Sequence, residues 1–410
     1  MSPIKTRYRA AVAPLRREFV QRADGVAWPT VDQVVLRDRP SEPVHCLRPH
    51  IVTEAARAFR AAFPGDVMYA VKCNPEPGAI RALWAGGVRH YDVASLGEIR
   101  LVATMYPEAR LSFMHPVKPR AAIREAYARF GVRTFALDHP VELAKIVEET
   151  GGGADLTLVV RIAVPKSGAA YDLSGKFGAD FDTAVNLLRA ARAVAARVGV
   201  TFHVGSQCLR PDAYAEAVRL AAGVSAAAGV PLDVLDVGGG FPVSYPDQIP
   251  PSLDVFMDAI RGAVAKAFPQ GVELYAEPGR ALVAGGTSVV VQVDLTKDDM
   301  LFVNDGVYGS LSDAGVPGFR FPVRLVRRSD AAPRAFGLFG PTCDSADKMK
   351  GPFWLPGDVR EGDWIEIGQL GAYGGSLRTA FNGFDRARLV EVSDRPLMET
   401  PGYAQAADAA

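Results

Sequence analysis

The sequence predicts an α/β protein in which a closed (β/α)8 barrel is followed by a smaller β domain. Short runs rich in Val, Ile, Tyr and Phe alternate with Ala-, Leu- and Arg-rich segments of helical period through the first two thirds of the 410 residues. Eight such units over about 240 residues suit a barrel. After Gly285 the alternation stops, and strand-like runs joined by turns take over.

The strands expected in the barrel are Val67–Val71, His90–Ala94, Arg110–Met114, Thr134–Leu137, Leu156–Ile162, Thr201–Val204, Val234–Val237 and Glu273–Ala276. The helical segments between them are Ala79–Trp84, Leu96–Met105, Ala121–Arg129, Val141–Glu149, Phe181–Val198, Ala213–Ala228 and Leu253–Phe268. An open doubly wound sheet has a similar rhythm. Eight units are many for such a sheet, and no Gly-x-Gly-x-x-Gly turn follows the first strand. Beyond the barrel, strands are expected at Ser288–Leu295, Met300–Asn304, Arg324–Val326, Phe336–Phe339 and Trp364–Ile367. Val34–Leu36 reads as a further strand added from the N-terminal segment. The expected division is residues 1–45 joining the β domain, 46–284 forming the barrel, and 285–410 forming the β domain.

Lys plus Arg and Asp plus Glu both number 46, so the formal net charge is zero. That balance points to neither a nucleic-acid nor a membrane-surface partner. Cys46, Cys73, Cys208 and Cys343 form no CxxC pair, so neither a metal site nor a disulfide framework is expected, and the setting is read as cytoplasmic. The start, MSPIKTRYRAAVAPLRREF, lacks an apolar signal core and reads as a short amphipathic surface helix. No apolar run is long enough for a transmembrane helix. The small, polar tail Gln405–Ala410 is expected to fray.

Reactive groups in a (β/α)8 barrel sit where strands end. Lys72 ends the first strand, in Tyr-Ala-Val-Lys-Cys-Asn. A partly desolvated lysine can form a Schiff base, whereas most lysines snorkel to the surface. Asp92, Arg161 and His203 end three other strands. Arg161 suits a ligand oxygen or a barrel carboxylate equally. His203 suits a ring-stacking or a core role. Gly238-Gly239-Gly240 lets backbone N–H groups approach an anion. With Ser206, Gly279 and Arg280 it makes a phosphate cradle after strands six to eight. Glu277 is the carboxylate that a protonated pyridine nitrogen needs. In the β domain, Gly340-Pro341-Thr342-Cys343-Asp344 pairs a thiol with a carboxylate, and Tyr373 sits in a glycine-rich stretch.

The motifs YAVKCN (69–74), SGKFG (174–178), HVGSQ (203–207), DVGGGFP (236–242), EPGR (277–280), NDGVYGS (304–310), GPTCDSAD (340–347), GAY (371–373) and FNGF (381–384) stand in this order. Together they resemble the ornithine/lysine/arginine decarboxylases of the alanine-racemase-like, fold type III class, over roughly residues 45 to 390. The resemblance implies pyridoxal 5'-phosphate as cofactor and a PLP-binding barrel. Lys72 would hold the cofactor, Glu277 its pyridinium nitrogen and His203 its ring face. Ser206, Gly239, Gly240, Gly279, Arg280 and Tyr373 would hold its phosphate, and Asp92 and Arg161 would organise the lysine and the ring oxygen. It implies a homodimer in which the partner donates Cys343, a proton donor, and Asp344, which binds the substrate's distal cation. The implied reaction releases carbon dioxide from a basic amino acid, ornithine or lysine, and yields putrescine or cadaverine. Alternatives on the same fold are a diaminopimelate or D-amino-acid decarboxylase, an amino-acid racemase, or a non-catalytic homologue.

The chain departs from the eukaryotic-type pattern at Leu311–Arg320, which lacks the Tyr-Asp pair that reads the substrate's far end. FRFPVR (319–324) is similar instead to a bacterial subgroup. Asp313 is the candidate replacement carboxylate, beside Asp344 and Tyr373 as substrate-binding residues. Arg320 keeps a diaminopimelate reading open.

Overall fold

The computed structural model describes residues 29–165, 167–171 and 175–402. The expected N-terminal surface helix, the tail Gln405–Ala410 and Ser174 of SGKFG lie outside them.

The first strand, β1 (Val44–Leu47), precedes the barrel. The barrel closes from β2 (Asp66–Ala70), β3 (His90–Val93), β4 (Arg110–Phe113), β5 (Thr134–Leu137), β6 (Thr157–Arg161), β7 (Arg197–Thr201), β8 (Val234–Asp236) and β9 (Glu273–Ala276). All neighbours pair in parallel, and β9 returns to β2 through Asp66↔Tyr275 and Val67↔Ala276. Side chains alternate along each strand. Val67, Tyr69, Tyr91 and Leu111 pack with helix residues such as Val52, Ile80, Ile99 and Ile123 in the large core. The intervening Met68, Met114, Ala136, Val159, Val234 and Tyr275 form a second buried cluster in the bore. This is the closed barrel that the eight-unit rhythm predicts.

The β domain is a mostly antiparallel sheet. Its strands are β10 (Thr287–Lys297), β11 (Met300–Val303), β12 (Val323–Leu325), β13 (Pro333–Phe339), β14 (Lys348–Pro356), β15 (Trp364–Ile367) and β16 (Arg388–Glu391). Their order is β12-β15-β10-β11-β13-β14, while β1 pairs antiparallel with β10 and parallel with β16. Arg48, directly after β1, is buried and ties these strands together. It donates to Ser288 on β10 and Glu366 on β15, both at 2.9 Å.

Three local expectations are corrected. Val34–Leu36 lies within a helix, Val31–Asp38, not a strand. Thr30 and Gln33 form a capping box there, and Val31, Val34 and Val35 share one buried face. Next, the strand expected at Thr201–Val204 is β7, which ends at Thr201, and the helix before it stops at Val194 rather than Val198. Gly199 allows this strand to lie close to β8, since a Cβ there would meet Val234 O at 2.6 Å. Finally, the helix Pro49–Ala62 and strands β1, β14 and β16 join the elements expected from the sequence.

Candidate active site

Lys72 lies in the 3-10 turn Val71–Cys73, which follows β2 at the C-terminal mouth of the barrel. Its Nζ donates to Asp92 Oδ2 at 2.7 Å, from the neighbouring β3. The side chain keeps 43% of its surface accessible, so it lines a recess rather than the core. Desolvation opposes its charge, but the nearby Asp92 and Glu277 carboxylates prevail and hold its pKa above the ordinary lysine value. The other Asp92 oxygen, Oδ1, is buried and has no hydrogen-bond partner among the described residues.

Across the recess, Glu277 follows β9 and Asp236 ends β8. Both are buried. Burial first, then the charges of Asp236 and Asp92, push the Glu277 carboxyl well above the usual range. Burial raises Asp236 as well, and the two side chains hydrogen-bond. A cation beside Glu277 would oppose that shift and favour its ionised form. Asp236 is fixed by Thr201 Oγ1 at 2.8 Å and by the N–H of Gly238 at 2.9 Å.

His203 stands two residues beyond β7. Burial, followed by the charges of Arg161 and Lys72, lowers its pKa to about 3. The N–H of Gly205 donates to its Nδ1 at 3.0 Å, which leaves the proton of the neutral ring on Nε2. The site thus contains an uncharged, flat imidazole. Arg161, at the end of β6, packs its guanidinium 5.5 Å from the Phe177 ring centroid.

The third wall is cationic. Arg280 is buried at the start of the short helix Arg280–Val283. Its Nη1 donates to Tyr245 Oη at 2.8 Å, and its Nη2 lies 3.5 Å from Ser206 Oγ. Its Nε–H is buried without a partner among the described residues. The glycine turn after β8 closes this wall. Gly238 and Gly240 have φ of +65° and +99°, and a Cβ on either would collide with a backbone carbonyl, of Phe202 and Gly205 respectively. Only glycine suits both the conformation and the approach. Gly239 and Gly279 are similarly tight, with a Cβ 2.7 Å from Glu277 O and 2.9 Å from Cys73 Cβ. The Tyr373 N–H bonds to Cys73 O at 2.8 Å, and its ring lies 5.2 Å from Arg280 Cζ. A lysine, a neutral flat ring, a buried carboxyl pair and a buried arginine with an orphaned N–H fit a phosphorylated pyridine aldehyde.

Asp313, the candidate substrate carboxylate, lies instead against Arg280, with Oδ2 2.9 Å from Nη2. Arg320 pairs with Asp247 at 3.0 Å. Cys343 and Asp344 are held in a separate cluster. Cys343 is exposed, and its N–H bonds to Asn382 Oδ1 at 3.1 Å. Tyr308 Oη donates to Asp344 Oδ2 at 2.6 Å, and this bond and the Ala346 N–H keep the Asp344 pKa low. Among the described residues, no hydrogen bond or ion pair joins either residue to the Lys72 recess. Asp236, Tyr171, Tyr245, Tyr308 and Asn382 had no role in the sequence reading. Asp236, Tyr308 and Asn382 stood inside the DVGGGFP, NDGVYGS and FNGF motifs, while Tyr171 and Tyr245 carried no signal.

Comparison with known proteins agrees with this architecture. Residues 50–284 match the pyridoxal-dependent decarboxylase pyridoxal binding domain, and residues 281–371 match that family's C-terminal sheet domain. The chain is 34% identical to the lysine/ornithine decarboxylase of Selenomonas ruminantium, over 84% of this chain and 88% of the relative. It is 33% identical to antizyme inhibitor 2 of Xenopus laevis, over 82% and 81%. The solved structure of lysine/ornithine decarboxylase from Vibrio vulnificus complexed with putrescine superposes with a TM-score of 0.76 at 31% identity, covering 88% of this chain and 97% of that one. With both domains matched and a lysine, a carboxyl pair and an arginine gathered at the barrel mouth, the chain belongs to the pyridoxal-dependent decarboxylases.

Proposed function

We propose that the protein decarboxylates L-ornithine, L-lysine or both to putrescine or cadaverine, as a homodimer whose two sites are each completed by the partner. Bound pyridoxal phosphate supplies the electron sink that accepts the electron pair left when the carboxylate departs. The chain's own residues do the rest. Lys72 Nζ is the attachment point, and Asp92 holds it in place. Glu277 would hold the pyridine nitrogen, and a pyridinium charge there would stabilise its carboxylate. Neutral His203 would hold the ring face without competing for that charge. Ser206, Gly239, Gly240, Gly279, Arg280 and Tyr373 hold the phosphate, and Arg161 serves the ring oxygen.

The observation that carries the decarboxylase reading is the cluster of exposed Cys343 and half-buried Asp344, braced by Tyr308 and Asn382 yet joined to Lys72 by no hydrogen bond or ion pair among the described residues of its own chain. Leu377, Phe381 and Phe384 add exposed apolar surface to the same stretch of chain as Asn382. A partner subunit seated there supplies the missing thiol and carboxylate. Cys343 Sγ then delivers the proton to the substrate's Cα, and Asp344 binds the distal ammonium. The Arg320–Asp247 pair leaves that arginine engaged, which favours a diamino substrate over one with a second carboxylate. The Selenomonas relative is named for both lysine and ornithine, which supports these two substrates.

Release of carbon dioxide from L-ornithine, L-lysine, L-arginine, meso-diaminopimelate and D-ornithine tests the reading. Release from L-ornithine or L-lysine, with kcat/KM at least about tenfold above the others, is expected. Preference for meso-diaminopimelate or the D-isomer would overturn the substrate. Failure of every amino acid on cofactor-loaded protein would favour the binding-only role suggested by the antizyme-inhibitor relative.

A further inference from the structure

Arg280 has a second buried neighbour that the reaction does not explain. Asp313 is 4% exposed, and its Oδ2 lies 2.9 Å from Arg280 Nη2. Its other oxygen, Oδ1, accepts a hydrogen bond from Tyr171 Oη at 2.9 Å. The single hydroxyl hydrogen of Tyr171 is shared with Val316 O, and its ring meets Phe319 edge-on at 6.1 Å. The backbone of Tyr171 pairs in both directions with Ser206, at 3.2 and 3.1 Å. Asp313 therefore braces two members of the phosphate wall from behind. It reaches Arg280 directly and Ser206 through Tyr171. Phe319 completes the enclosure, 5.1 Å from Arg280 Cζ.

We propose that Asp313 is a positioning residue for the phosphate end of the cofactor, holding the Arg280 guanidinium so that its Nε–H and the Ser206 hydroxyl remain for the phosphate. The proposal rests on the reading of Arg280 as a phosphate ligand. An arginine carries many rotamers, and ordering its fork before the ligand arrives removes that cost from binding. A carboxylate beside an anion site also repels the anion. Here Arg280 compensates that charge, and Tyr171 holds the carboxylate, so orientation outweighs repulsion.

The test is a titration of full-length, cofactor-stripped protein with pyridoxal phosphate and, separately, with pyridoxal, which lacks the phosphate. Absorbance reports each Kd, and thermal unfolding reports folding. Asp313→Asn, which removes the charge paired with Arg280, is expected to weaken pyridoxal phosphate about tenfold and leave pyridoxal unchanged. Tyr171→Phe should shift the same ligand about threefold in the same direction. Unchanged or tighter pyridoxal phosphate binding by Asp313→Asn would overturn the proposal, because repulsion would then equal or exceed orientation. Equal weakening of both ligands would also overturn it, since that marks general damage to the recess. Arg280→Ala separates the two readings. If it weakens pyridoxal phosphate selectively while Asp313→Asn is silent, only the positioning role fails. If Arg280→Ala is itself silent, the phosphate assignment falls and takes the positioning role with it.

Discussion

His203 illustrates how burial sets a protonation state that the sequence does not display. Its folded pKa of about 3 lies below the ordinary imidazole value of 6.5, so folding selects the neutral ring. The stability this contributes is fully present above pH 6.5 and is lost as pH falls from there toward 3. His45, buried beside Arg378, is lowered to about 4 and acts in the same direction. In urea unfolding, His203→Phe is expected to flatten the decline of stability below pH 6.5 by up to about 1.4 kcal/mol per pH unit, the value of one proton. Parallel pH dependences for variant and wild type would show that His203 is not held neutral. Lys72, His203 and Glu277 were legible because each follows a strand within a fixed motif. The upward shift of the buried Asp236–Glu277 pair was not, since it depends on the approach of two strand ends. The Tyr171–Asp313 bond spans 142 positions and joins two domains, and no local pattern encodes it.

At the scale of elements, the barrel was legible because both faces of its strands are buried, which gives continuous apolar runs that local reading detects. The β domain was read less completely. β1 and β16 have four residues each and pair with one another across the whole chain. Val31–Asp38 was misread because three valines in eight residues suggest a strand, whereas the capping box and the one-sided burial select a helix. The join between β1, β10 and β15 depends on Arg48, which is 1% exposed and pairs with the equally buried Glu366. Arg48→Ala leaves that carboxylate with Arg324 and Ser288 alone. A loss of about 3 kcal/mol of unfolding free energy is expected, as for other broken buried pairs. Denaturant unfolding measures it, and a change below about 0.5 kcal/mol would mean that Arg324 carries the junction by itself.

For the whole molecule, the proposed division of labour is between the barrel mouth, which would hold the cofactor, and a β-domain loop that carries Cys343 and Asp344. Among the described residues no helix is long and apolar enough to cross a membrane. The sequence supplied the family. That the partner's loop faces each lysine is implied by the family resemblance alone, because it depends on assembly rather than on local pattern. The most direct measurement mixes two variants, Lys72→Ala and Cys343→Ala, under conditions that exchange subunits, and follows formation of putrescine from L-ornithine and cadaverine from L-lysine. Random reassociation makes half of the dimers mixed, each with one intact site, so about a quarter of wild-type activity should return if each site takes Lys72 from one chain and Cys343 from the other. Activity no greater than the sum of the separate variants, in subunits shown to have exchanged, would contradict the shared site.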